Sequence, residues 1–175
     1  MGVIDTVKTL SYLPALLKLK KGMTPRPAEV TDSFGARVED NAQNYPNACA
    51  IIFEGQQMTW FEFNALANRF AHYFEDQGVK RGDVVSIMME NRIEYLALLV
   101  GLNKLGAMSG LLNSNLGGAS LVHCINVTGS SKCIVGEECM TELDAVQEQL
   151  NLQTGSDFFF VKDEGTKPCP NWAQD

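Results

Sequence analysis

The chain has 175 residues, 45% of them hydrophobic and 20% charged, with a net charge of −7. That length fits one globular domain, or one domain with an appendage, and can bury a substantial core. The negative balance argues against nucleic acid as a partner, because phosphate binding needs clustered Lys and Arg.

Charge is distributed unevenly. Residues 1–30 hold five basic residues (Lys8, Lys18, Lys20, Lys21, Arg26) against Asp5 and Glu29, a net of +3, which leaves −10 for the remainder. Val3, Val7, Leu10, Leu13 and Leu17 recur at helical spacing, with Lys18, Lys20 and Lys21 at the closing end, where positive charge suits the helix dipole. Pro14 is expected to kink this helix or divide it into two short pieces. The apolar face of residues 3–21 has two readings: peripheral contact with a membrane surface, the lysines meeting anionic lipid, or docking on the protein's own body. A secretory signal does not fit, since Lys8 interrupts the apolar part and the basic cluster is at the wrong end. The stretch is also too broken to span a bilayer. "GMTPRPAEV" then reads as an extended linker, giving an appendage over 1–30 and a domain over 31–175.

Phe34, Val38 and Ala42 predict a short helix ended by Pro46. "CAIIFEGQQMTW" predicts two strands around a turn at Gly55. Thr59 and Glu62 form a capping box for the next helix, whose buried face is Phe63, Leu66, Ala67, Phe70 and Phe74, and Gly78 supplies its left-handed stop. "DVVSIMM", residues 83–89, is a short apolar strand. Asn91, with Glu94 three residues on, is expected to cap a helix over 92–105 that is apolar almost all round. Such a helix must be covered on several sides, within a larger body than this chain alone. Strand 107–112, the turn "NSNLGG", the helix "ASLVHCINVTG", strand 132–136, the helix "ECMTELDAVQEQL" and strand 157–161 complete the pattern, followed by a loop-like tail. Short apolar strands alternating with helices predict an α/β fold, a parallel or mixed sheet built from right-handed βαβ units.

Candidate chemistry is sparse. No phosphate loop of the G-x-x-x-x-G-K-[ST] kind occurs, and no G-x-G-x-x-G. "TGSSK", residues 128–132, precedes a strand instead of following one, so it reads as an ordinary turn. His123, Cys124, Cys133 and Cys139 have no zinc-finger spacing, and the cysteines read as core or half-buried. His123 and Cys124 are neighbours and cannot face one another on a helix. His72 reads as a surface or partly buried histidine. Glu137, Glu138, Glu142, Asp144 and Glu148 read as a solvated helix face. Five cysteines, an odd number without a C-x-x-C pair, suit reduced thiols in a cytosol. No catalytic, cofactor-binding or metal-binding residue is assigned.

The order of these elements resembles the N-terminal section of the adenylate-forming acyl-CoA synthetases. The resemblance rests on the hairpin ending at Thr59–Trp60, on "GVKRGDV" at Gly78–Val84, on "NRIEY" at Asn91–Tyr95, and on "KLGAMSGLLN" at Lys104–Asn113. "LLNSNLGGASLVHCINVTGSSKCIVGEE" is similar to the very-long-chain and fatty acid transport group of that family. It spans about residues 33–162 as many weak positions, with no single strong motif. It implies ATP-dependent activation of a fatty acid to acyl-adenylate with Mg²⁺, then transfer to the thiol of coenzyme A. It places the protein in the cytoplasm or peripherally at the cytoplasmic membrane face. The family's phosphate loop, nucleotide contacts, metal-binding Glu and C-terminal lysine have no counterpart here. The chain is therefore expected to be a truncated N-terminal portion, inactive by itself. Rival readings are a freestanding flavodoxin-like binding domain, which needs an anion-binding loop after its first strand, and a non-catalytic membrane-associated or interaction module.

Overall fold

The computed structural model describes residues 12–23 and 32–175, and the chain divides into a unit ending at Asp32 and another over Ser33–Asp175. The predicted residues 3–11 and 24–31 lie outside the described set. In the first unit, helix α1 runs Leu13–Gly22, with Pro14 in its first turn, where a missing N–H leaves no intrahelical bond unmade.

The second unit starts with α2 (Phe34–Asn44), capped by the Ser33 hydroxyl accepting from the Ala36 N–H. Strands β1 (Cys49–Phe53) and β2 (Gln56–Thr59) form an antiparallel hairpin. Its two-residue turn has positive φ at both Glu54 (48°) and Gly55 (80°), the conformation that matches strand twist. Glycine adopts this without strain; Glu54 does so against its Cβ. Helix α3 (Trp60–Asp76) starts with the expected box: the Thr59 N–H donates to Glu62 Oε2 at 2.9 Å and the Glu62 N–H to Thr59 Oγ1 at 3.3 Å.

There follow β3 (Val84–Met88), α4 (Ile93–Lys104), β4 (Met108–Leu111), α5 (Gly118–Thr128), β5 (Lys132–Gly136), α6 (Met140–Asp144) and β6 (Phe158–Val161). The four strands pair in parallel, in the order β4-β3-β5-β6. Alternate residues enter opposite layers. Val85, Ile87, Ile134 and Phe159 pack with Phe74, Leu98 and Leu102 from α3 and α4. Met88, Cys133, Val135, Phe158 and Phe160 pack with Leu121, Ile125 and Leu143 from α5 and α6. The sheet is thus doubly wound, as the continuous apolar strands predict.

Helix α4 is sandwiched, but within this unit. Leu98 and Leu102 meet the sheet, while Ala97 and Val100 meet Val38, Phe63 and Ala67 on α2 and α3. Its missing polar face therefore requires no protein beyond Ser33–Asp175. Close approach to α3 depends on Gly101, where a Cβ would lie 2.8 Å from the Ala67 carbonyl oxygen.

Two expectations need correction. Asn91 does not cap α4: Arg92 occupies that position without a side-chain capping bond, because a guanidinium has no acceptor to offer the first-turn N–H groups. The helix expected over "ECMTELDAVQEQL" is broken into a 3₁₀ turn (Glu137–Cys139), α6 and a second 3₁₀ turn (Gln147–Gln149). Leu143, Val146, Gln147 and Leu150 are all buried there, and this irregular path presents them to the sheet. The tail is loop-like but fixed: Trp172 stacks edge-on against Phe158, and Gln174 exchanges backbone hydrogen bonds with Phe158 and Phe160.

Gly101→Ala is expected to lower stability by about 1–3 kcal/mol through forced separation of α3 and α4. Urea unfolding checks it; an unchanged midpoint would contradict the close packing.

Candidate functional site at the carboxyl ends of the strands

In a doubly wound sheet the crevice for a ligand opens beyond the carboxyl ends of the strands, where chain order reverses. Here β3 leads to β4 on one side and the chain then returns to β5 on the other, so the reversal lies between β3 and β5. The segments emerging there are Met89–Arg92 after β3 and Glu137–Glu138 after β5, flanked by Lys162–Glu164 after β6.

These segments are tied to one another. The Arg92 side chain is 6% exposed; its Nη2 donates to the Val161 carbonyl at 2.9 Å, and its Nη1 lies 3.0 Å from Asp163 Oδ2. Glu94 and Glu138 carboxylate oxygens each stand 3.8 Å from the same guanidinium. Glu138 also accepts the Glu90 N–H at 2.6 Å. Glu137 is buried and accepts the N–H groups of Asp163 at 2.9 Å and Lys167 at 2.7 Å. The Asp163 N–H holds the Glu137 carboxyl below its usual range, opposed by burial and assisted by the Lys167 N–H. Glu137 and Glu138 are therefore not part of a solvated helix face, as the charge pattern suggested; only Glu142, Asp144 and Glu148 are exposed. Buried carboxylates persist because backbone donors and a guanidinium compensate them.

Beside this cluster lies an open cleft of about 390 Å³ lined by Glu54, Glu90, Asn91, Arg92, Glu94, Lys162, Asp163 and Glu164. Five carboxylates face two cations, and Arg92 is already surrounded by acids. The surplus of carboxylates opposes a polyanion in this cleft, and the Glu90 N–H donates to Glu138. The same tie removes the anion-binding loop that a flavodoxin-like reading needs.

The other sequence candidates are dispersed. In "TGSSK" the Ser130 hydroxyl lies 2.6 Å from those of Ser86 and Thr128, and Lys132 Nζ pairs with Asp157 at 3.0 Å. That is a turn wired to the sheet. Cys133 and Cys139 are buried and their thiols are pushed up to about 12 by burial, which disfavours thiolate chemistry. His123 is exposed, and His72 is an exposed residue 3.7 Å from Glu75. Among the described residues no group of three or more His, Cys, Asp or Glu side chains could hold a metal ion.

Sequence reasoning missed Arg92 and Glu137. A usable signal was present: an arginine opening an otherwise apolar helix just after a strand, and a Glu-Glu pair just after the neighbouring strand. Only the parallel pairing of β3 with β5 brings the two together.

Residues 38–171 match the family described as AMP-binding enzyme. Long-chain fatty acid transport protein 6 of Mus musculus is 33% identical over 111 residues, 63% of this chain and 18% of that protein. The medium/long-chain-fatty-acid–CoA ligase FadD6 of Mycobacterium tuberculosis is 33% identical over 131 residues, 74% of this chain and 22% of that protein. Among solved structures, a Mycobacterium tuberculosis fatty acyl CoA synthetase superposes with a TM-score of 0.66 at 25% identity, covering 75% of this chain and 26% of the other. The chain thus spans about a fifth of the length of the curated relatives it matches.

Arg92→Met is expected to cost about 2–3 kcal/mol, less in an Asp163→Asn background, because the change leaves neighbouring carboxylates uncompensated. A double-mutant cycle in urea measures it, and zero coupling would contradict the pairing. For Glu137 the folded pKa lies below the ordinary 4.5, so its contribution is complete above that value and is lost as pH falls through the folded pKa. Amide-exchange protection at Asp163 and Lys167 should be constant above the ordinary carboxyl value and fall as pH drops below it through the folded pKa, and should already be reduced at neutral pH in Glu137→Gln. Protection independent of pH would overturn the assignment.

Proposed function

This chain belongs to the AMP-binding enzyme family, and on that premise we propose that it is the scaffold section of an ATP-dependent long-chain fatty acid–CoA ligase. Residues 31–175 form a partial adenylation domain in this reading, and residues 1–30 are an appendage to it. The complete reaction converts a fatty acid with ATP and Mg²⁺ to acyl-adenylate and pyrophosphate, then to acyl-CoA. A carboxylate oxygen is a poor leaving group, and AMP is a good one.

One observation carries the reading. Residues 38–171 match the AMP-binding enzyme family, and the chain is 33% identical over 111 residues to a fatty acid transport protein and over 131 residues to a fatty-acid–CoA ligase. The sheet supplies a rigid platform with two covered faces, suited to support a nucleotide site built from other residues. In this reading the 175-residue chain has no ligase activity by itself, which the mutual engagement of its strand-end charges supports. Peripheral contact with a membrane through residues 3–21 belongs to the same reading, and would bring a ligase to the interface where fatty acids partition.

A chimaera tests the reading: residues 33–175 replace the matching segment of FadD6, and fatty-acid-dependent pyrophosphate release is measured. We expect release from the folded chimaera and none from the 175-residue chain. A chimaera that melts cooperatively yet releases no pyrophosphate, or ligase activity of the short chain alone, would contradict it.

A further inference from the structure

Strand β6 is the last strand at one side of the sheet, and its outer edge is only partly covered. Gln174 lies beside Phe159 in parallel register: its N–H donates to the Phe158 carbonyl at 2.9 Å, and its carbonyl accepts the Phe160 N–H at 2.7 Å. Backbone groups of successive residues alternate between the two edges of a strand. Phe160, whose N–H meets Gln174, therefore turns its carbonyl to the same outer edge, and the Lys162 N–H follows one repeat later. Among the described residues neither the Phe160 carbonyl nor the Lys162 N–H meets a hydrogen-bond partner. A strand edge with unpaired backbone groups is a template for a further strand.

Beside the uncovered part of that edge lies an open groove of about 410 Å³, with apolar walls of Leu66, Phe70, Tyr73, Phe74, Phe159 and Val161. Its charged residues, Arg69, Lys162 and Asp175, are all exposed. We propose that the outer edge of β6 is the docking site of a further parallel strand, an extended polypeptide segment that continues the line of Gln174 and alternates apolar with polar side chains. Register specifies its chemistry. Gln174 pairs with Phe159, so the second residue beyond Gln174 pairs with Val161. Paired residues of neighbouring strands present their side chains to the same face. Val161 packs in the layer of α3 and α4, so that second residue carries the apolar side chain that enters the groove. Its N–H donates to the Phe160 carbonyl, and its carbonyl accepts the Lys162 N–H. A strand answers the edge and the groove together, whereas an apolar small molecule fills the groove and leaves the Phe160 carbonyl without a donor.

The probe is the 175-residue chain extended after Asp175 by Val-Thr-Val-Thr, which places a valine opposite Val161. The control extension, Thr-Val-Thr-Val, has the same composition shifted by one residue, which turns every side chain to the other face. Neither ATP nor fatty acid is present, so the outcome is independent of ligase activity. We expect Val-Thr-Val-Thr to raise the urea unfolding midpoint by about 0.5 M or more. It should also slow amide exchange at Lys162 and at the first appended valine by about fivefold or more. Thr-Val-Thr-Val should leave both as they are in the unextended chain. Equal midpoints for the two extensions, a gain in midpoint without slower exchange at Lys162, or self-association of the unextended chain that itself slows exchange at Lys162, would each overturn the proposal; the last would assign the edge to a second copy of the chain.

Discussion

Helix α4 has to satisfy two neighbours at once. Leu98 and Leu102 pack against the sheet at 0% exposure, and Ala97 and Val100, also at 0%, pack against α2 and α3. A helix in that position can carry no continuous polar face, and it must approach α3 closely enough that only glycine fits at 101. Its polar groups are confined to its ends. Lys104 closes the last turn and donates to Asn64 and Asn68 of α3, each at 2.7 Å. Arg92 opens the first turn and reaches across the ends of the strands. Packing in the middle of α4 thus fixes where its two charged ends lie.

The upstream end has a chemical consequence. Because α4 starts directly after β3, it delivers Arg92 to the reversal point of the sheet, where a nucleotide would ordinarily find unpaired backbone donors. Those donors are engaged: Glu90 N–H to Glu138, Asp163 and Lys167 N–H to Glu137. The carboxylates and Arg92 hold the segment after β6 across the strand ends. Surplus negative charge remains there and is unsuited to phosphate. Family membership is compatible with strand ends that offer no phosphate cradle among the described residues, because the chain corresponds to only about a fifth of its relatives' length.

Periodicity made the strands, the capping box at Thr59 and Glu62, and the parallel sheet legible in advance, because each depends on residues close in sequence. The resemblance read from Gly78–Val84, Asn91–Tyr95 and Lys104–Asn113 led to the family that residues 38–171 match. The broken helix after β5 was not legible: its acidic residues share a helical pattern with Leu143, but Val146 and Leu150 reach the core only through irregular turns. Nor was the Arg92 cluster, whose partners Glu138, Val161 and Asp163 lie 46 to 71 positions away and meet it only after β3, β5 and β6 have aligned. The role of Trp172 was hidden as well, because the loop-like tail carries no periodicity to show that it packs on Phe158 in the layer of α5 and α6.

The central claim is that the carboxyl ends of these strands form an internally ion-paired platform and not a nucleotide site, even though Arg92 Nε and Nη1 and Glu138 Oε2 make no hydrogen bond there. Titrating Mg·ATP into the isotopically labelled 175-residue chain, while following backbone amide resonances, tests it most directly. The account predicts no saturable shifts at Glu90–Glu94, Glu137–Glu138 or Lys162–Glu164 at millimolar nucleotide. Saturable shifts centred on those three segments would contradict it.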